Sequence, residues 1–136
     1  MFAKQFIDLR EDNKIAIMKL AAIKETLRAE VFTAHDKLDT EIVAGTASDL
    51  MSDMLTGPTN GVVLLTGLNN IQAIHTCIIA DVAGVVLLRK KRPTAEMISQ
   101  AREHELPLLS TPFTMFSACG RLFEKGLRGV ERSPST

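Results

Sequence analysis

The sequence has no tryptophan and no tyrosine, and its six phenylalanines are scattered. Aromatic platforms on which unpaired bases stack are therefore hard to assemble. There is no excess of charge of either sign. Sixteen Lys and Arg balance sixteen Asp and Glu, whereas a general nucleic-acid binder carries a basic surplus. Both absences argue against a nucleic-acid partner. Cysteine is scarce: Cys77 and Cys119 lie far apart among apolar neighbours, in neither a Cys-x-x-Cys pair nor a metal-type cluster with His. They read as buried, reduced thiols. No apolar run approaches the length of a membrane span, because Asp, Asn, Thr and Gly interrupt runs that are only strand-length. The start, MFAKQFIDLREDNK, places charges where a secretion signal needs an apolar centre. The expectation is a cytoplasmic protein with no membrane contact.

What is present is the composition of one folded domain: 136 residues, 46% hydrophobic and 24% charged. Leu20, Ile23 and Leu27 recur at helical spacing with Lys24, Glu25 and Arg28 between them, which predicts a one-sided helix. A strand over 30–33 follows, then a polar turn at His35 to Lys37. A second strand spans 41–47, in which Gly45 marks a bulge or a close approach. Ser48 and Asp49 are placed to cap a helix carrying Leu50, Met51, Met54 and Leu55, which ends at Gly57-Pro58.

Beyond that turn the pattern alternates. Strands are predicted over 61–66, 84–88 and 106–110, and helices over 71–80, 94–105 and 113–125, the first of these capped by Asn and the last by Ser110 or Thr111 with Pro112 in its first turn. Near-continuous Val, Ile and Leu strands separated by short helices specify an α/β fold, a three-layer sandwich whose mostly parallel sheet is covered by helices on both faces. The two GVVLL copies, 23 residues apart, are explained by one strand-helix unit rather than by a solenoid repeat. The methionines Met51, Met54, Met97 and Met115 fall on helix faces as core fillers. Gly120 inside the last helix costs about 1 kcal/mol relative to Ala, which a close helix contact within the monomer or across a dimer would explain.

Ligands of open parallel sheets bind at the carboxyl ends of the strands, where helix N-termini and their free N–H groups converge. That rule gathers Ser48 and Asp49, then Thr66, Gly67, Asn69 and Asn70, then the four cations Arg89, Lys90, Lys91 and Arg92, then Ser110 and Thr111. Such a set of donors and cations suits a small anion, for example a nucleotide or a phosphorylated metabolite. Strand alternation would turn Arg89 and Lys91 to one side and Lys90 and Arg92 to the other, which makes Arg89 and then Lys91 the expected contacts; a solvated loop is the plain alternative. The single Gly67 is neither a GxGxxG nor a GxxxxGK[ST] loop, and Asn69 or Asn70 also serves simply as a helix cap. Ser48 and Asp49 are adjacent and have no histidine fixed near them, so capping fits them better than a nucleophile and base. His35, His75 and His104 are scattered, and neither a metal nor a cofactor is implied.

Three runs, MKLAAIKETLRAEVFTAHDKLDTEIVAGTASDLMSDML, GVVLLTGLNNIQAIHTCIIADVAGVVLLRKKRP and LPLLSTPFTMFSACGRL, together resemble the DRTGG domain from Met18 to about Leu122. The resemblance rests on Leu38-Asp39, the Ser48-Asp49 turn, Pro93 and the LLST strand end. It implies a compact α/β module, related to the N-terminal domain of HPr kinase and found also beside CBS domains, with a regulatory and non-catalytic role and a tendency to form homodimers. The Asp-Arg pair and the Thr-Gly-Gly triplet that name the family correspond to Gly67-Leu68-Asn69-Asn70 and Leu88-Arg89-Lys90-Lys91, and neither element is present. No residue role is carried over from them. The expected organisation is an N-terminal extension over 1–17, a DRTGG-like domain over 18–125 and a disordered tail over 126–136.

Three readings of function follow. The first is a regulatory module that senses a small anionic ligand such as an adenine nucleotide and works as a homodimer or on a regulatory protein partner. The second is an interaction or dimerisation module without a ligand. The third is a phosphate-handling enzyme, for which a nucleotide-cradling loop, a spaced carboxylate pair and a poised nucleophile are lacking.

Overall fold

The structure, a computed structural model, describes residues 17–130. Apart from Ile17, the expected extension lies outside the described residues, as do positions 131–136 of the expected tail. The chain order is β1 (Met18–Lys19), α1 (Leu20–Leu27), β2 (Glu30–Thr33), β3 (Glu41–Ile42), β4 (Ala44–Ala47), β5 (Val62–Thr66), α2 (Ile71–Ala80), β6 (Gly84–Leu87), α3 (Ala95–Glu103), β7 (Leu108–Ser110) and α4 (Met115–Glu124).

Strands β5 and β6 are buried along their whole length, so they take the centre of a five-stranded sheet of order β2-β7-β6-β5-β4. Strands β4 to β7 run parallel, with Val63 opposite Gly84 and Val86 opposite Leu109, and β2 joins the edge antiparallel to β7. Alternation along the strands divides the core in two. Leu20, Ile23 and Leu27 of α1 and Ala118 and Leu122 of α4 cover Val63, Leu65 and Val86 on one face. On the other, Ile74 and Cys77 of α2 and Met97 and Ala101 of α3 cover Leu64, Val85, Leu87 and Leu108. Each such fully buried Leu or Val stabilises the fold by about 1.5–3 kcal/mol. The expected three-layer α/β architecture is the one observed.

Local departures have physical reasons. The strand expected over 41–47 breaks at Val43: Glu41 and Ile42 pair antiparallel with β1, and only Ala44 to Ala47 enter the main sheet. The helix expected after Ser48-Asp49 is a 3₁₀ segment, Met51–Leu55, which buries Met54 and leaves Leu50 and Leu55 exposed. The last helix begins later than expected: the Thr111 oxygen accepts from Phe113 N–H in a local turn while its hydroxyl donates to the Leu27 carbonyl, and Thr114, accepting from Ser117 N–H, is the cap. Thr94 caps α3 in the same way.

The expected disordered tail does not begin at Gly126. Leu127 is buried, Gly45 N–H donates to the Arg128 carbonyl, and Val130 N–H donates to the Gly45 carbonyl, so 126–130 lie along the free edge of β4. This explains Gly45, where a Cβ would stand 3.1 Å from Leu127 Cδ2.

Burial pushes the Cys77 thiol up to about 12 from its ordinary 9.0. The folded chain therefore keeps its proton where the unfolded chain loses it, and stability falls as pH rises above about 8.5. Urea unfolding between pH 8 and 11 should show that decline, and Cys77→Ala should lose less stability over the same range than the parent.

Candidate functional site

The carboxyl ends of β4 to β7 meet along one edge, and the loops that leave them are stitched to one another. Leu88 N–H donates to the Thr66 carbonyl at 3.0 Å, Arg89 N–H to Phe113 at 2.9 Å, Lys90 N–H to Thr111 at 2.8 Å, and Thr111 N–H to Leu87 at 2.9 Å. The buried hydroxyls of Thr66, Ser110 and Thr111 lie at this same edge. Parallel pairing consumes the backbone groups inside the sheet, and these side chains satisfy those left over where the strands end.

The expected site residues fall into three groups. Asp49, Thr66 and Lys91 come together on the loop after β5. One carboxylate oxygen of Asp49 accepts from the Thr66 hydroxyl at 3.0 Å and from Gly67 N–H at 2.7 Å, and Lys91 Nζ donates to the Gly67 carbonyl at 2.8 Å. Asp49 thus spans two strand ends and caps no helix. Ser110 and Thr111 serve the scaffold: Ser110 donates to the Lys91 carbonyl, and Thr111 turns inward to the Leu27 carbonyl, both at 2.6 Å. Ser48 stays local, accepting from Leu50 N–H at 2.9 Å.

Asn69 and Arg89 are the expected site residues whose side chains this frame leaves unused. Asn70, not Asn69, caps α2 by accepting from Ala73 N–H at 2.9 Å. The Asn69 side-chain oxygen is buried and has no hydrogen-bond partner among the described residues. Arg89 and Lys90 are exposed, and neither side chain has an ion-pair partner among the described residues.

Their backbone is the feature sequence reasoning missed. Arg89 and Lys90 have φ of 57° and 62°, and Lys91 N–H returns to the Leu88 carbonyl at 3.2 Å. This is a tight left-handed turn, a geometry that glycine and asparagine adopt at least cost. The other non-glycine residues with positive φ, Arg28, Ala34, Asp81 and Glu105, occur singly. Strand alternation consequently does not decide where these cations point. The only sequence signal was the abrupt end of the apolar run at Leu88. Of the remaining cations, Arg92 lies 5.2 Å over the Phe32 ring and 3.4 Å from Glu30, toward the β2 edge.

A separate hollow of about 270 Å³ opens between α4, the 127–129 segment and the edge of β4, lined by Gly45, Ala47, Leu65, Cys119, Phe123 and Leu127. Partial burial raises the pKa of the Cys119 thiol. No group of three or more His, Cys, Asp or Glu side chains among the described residues is arranged to hold a metal ion. Nor is any helix among them long and apolar enough to cross a membrane.

The DRTGG domain model matches residues 22–124. No curated protein matches the chain. Among solved structures, the CBS and DRTGG domains of the regulatory region of Clostridium perfringens pyrophosphatase, complexed with the activator diadenosine tetraphosphate, superpose with a TM-score of 0.67 at 18% identity. The match covers 85% of this chain and 51% of that one, so this chain accounts for about half of that regulatory region.

Because the Asp49 carboxylate makes two hydrogen bonds across the edge, Asp49→Ala should cost about 1–3 kcal/mol in urea unfolding. Ser48→Ala, which removes only a local contact, should cost less than half as much.

Proposed function

Because the chain belongs to the DRTGG domain family, we propose that it is a regulatory module rather than a catalyst, and that it senses a small anionic ligand at the carboxyl edge of its sheet. The observation that carries this reading is the left-handed turn at Arg89-Lys90. Two cationic residues, each carrying a Cβ, occupy consecutive positions where an Asn-Gly pair would fold more cheaply, by roughly 1 kcal/mol per residue. Backbone strain of this kind persists where the side chains have another use. Here it holds two exposed cations beside the fixed ammonium of Lys91, on a loop tied to the neighbouring strand ends.

The anion in this reading meets Arg89 and Lys90 rather than the amide of Gly67, since the Asp49 carboxylate already occupies that donor. The unpartnered oxygen of Asn69 adds a complementary requirement, a donor such as an amino or hydroxyl group on the ligand. A nucleotide supplies both. The diadenosine tetraphosphate held by the Clostridium perfringens regulatory region makes adenine nucleotides the first class to test. As a module of this kind, the chain works as a homodimer or on a regulatory protein partner.

A thermal-shift panel of adenine and guanine nucleotides, dinucleotides and phosphorylated metabolites tests the proposal. A ligand at a hundred times its Kd should contribute about 2.7 kcal/mol to the parent chain. The double variant Arg89→Asn with Lys90→Gly should melt higher than the parent without ligand and lose the ligand-induced shift. A flat panel for the parent, or an unchanged shift in the double variant, would count against the site.

A further inference from the structure

Phe113 joins the turn at Arg89-Lys90 to a second set of cations. Its carbonyl accepts from Arg89 N–H at 2.9 Å, and its ring meets two guanidinium groups, that of Arg121 at 3.9 Å and that of Arg28 at 5.7 Å from the centroid. Three elements bring them there. Arg28 closes α1 in a left-handed conformation beside the end of β7, where the Thr111 hydroxyl donates to the Leu27 carbonyl. Phe113 leaves β7, and Arg121 reaches back along α4 toward the helix N-terminus, the direction in which helical side chains lean. Both arginines are exposed, and neither meets a carboxylate among the described residues. Glu30, two residues from Arg28, is taken by Arg92. Cation–π attraction thus holds two like charges on one ring with no acid to neutralise them.

We propose that the anion site of this edge extends across Phe113 to Arg28 and Arg121, and that its ligand carries an oligophosphate chain rather than a single phosphate. The row of cations begins at Lys91 Nζ, held on the Gly67 carbonyl after β5, and passes through Arg89 and Lys90 after β6. It ends beside Phe113 and Arg28, where β7 stops and β2, with Glu30 opposite Ser110, starts. From β5 to β2 there are three inter-strand steps, which makes the row about 14 Å long. One phosphate cannot touch both ends. Linked phosphates, each with its own negative charge, can follow the row, and the guanidinium forks at its far end suit their paired oxygens. The extended site rests on the anion-sensing reading of this edge; inorganic anions of different length separate the two.

Isothermal titration calorimetry of the full chain with inorganic phosphate, pyrophosphate and tripolyphosphate, with circular dichroism as a check on folding, decides it. The parent should bind tripolyphosphate about tenfold or more tightly than phosphate, and Arg28→Gln combined with Arg121→Gln should remove that advantage while leaving phosphate binding unchanged. Arg28→Lys combined with Arg121→Lys, which keeps both charges, should recover part of it. Arg102→Gln combined with Lys125→Gln, an equal loss of charge at the carboxyl ends of α3 and α4, should leave it intact. A parent indifferent to chain length overturns the extension, and so does a Gln pair that binds tripolyphosphate as the parent does; in either case the nucleotide panel still decides whether the edge senses an anion. An equal loss in the Arg102→Gln, Lys125→Gln control marks the attraction as general and overturns it too.

Discussion

The burial of β5 and β6 on both faces governs everything else in this molecule. A strand with apolar neighbours above, below and on each side has no room for an unsatisfied polar group, so its backbone must pair completely within the sheet, and Val and Leu fill its interior positions. Polar atoms are driven to the strand ends. Thr66, Ser110 and Thr111, three of the four buried polar side chains among the described residues, lie at one edge, and each spends its hydroxyl on a group of another loop or element. That edge becomes a hydrogen-bonded frame before it is anything else.

The frame changes how the site residues divide. Several donors gathered by the strand-end rule are already used: Thr66 and Gly67 by Asp49, Ser110 by the Lys91 carbonyl, and Thr111 by the Leu27 carbonyl. What they provide is rigidity, which gives the turn at Arg89-Lys90 fixed anchor points on both sides. The unused capacity is small and specific: two exposed cations and one buried acceptor on Asn69. Regulation by an anionic ligand needs little more than that, since a module that only senses has no bond to break and requires no poised nucleophile.

The layers and most element boundaries were legible in the sequence because they follow from periodicity. Leu20, Ile23 and Leu27 face the core as their spacing requires, and the two GVVLL runs became the two central strands. Features depending on who claims a hydroxyl were not legible. Thr111 is as good a cap as Thr114 by residue type, yet its hydroxyl donates to the Leu27 carbonyl, 84 positions away, and its oxygen accepts from Phe113 N–H in a local turn, so the last helix starts four residues beyond it. Asp49 looked like a helix cap because its partners Thr66 and Gly67 are remote in sequence. The left-handed turn was hidden for the opposite reason, since Arg and Lys conceal a conformation that Asn-Gly would have announced.

Two surfaces are thus left open by a fold that otherwise satisfies itself, a polar one at the sheet edge and an apolar one on α4, where Phe116 is 90% exposed. The most direct test of the ligand site is an amide-resolved NMR titration of the folded chain with adenine nucleotides. Saturable shifts concentrated at Gly67 to Asn70 and Leu88 to Lys91 are the predicted result. Shifts confined to α4 and the 127–129 segment, or none at millimolar nucleotide, would contradict a sensor built on the carboxyl edge of this sheet.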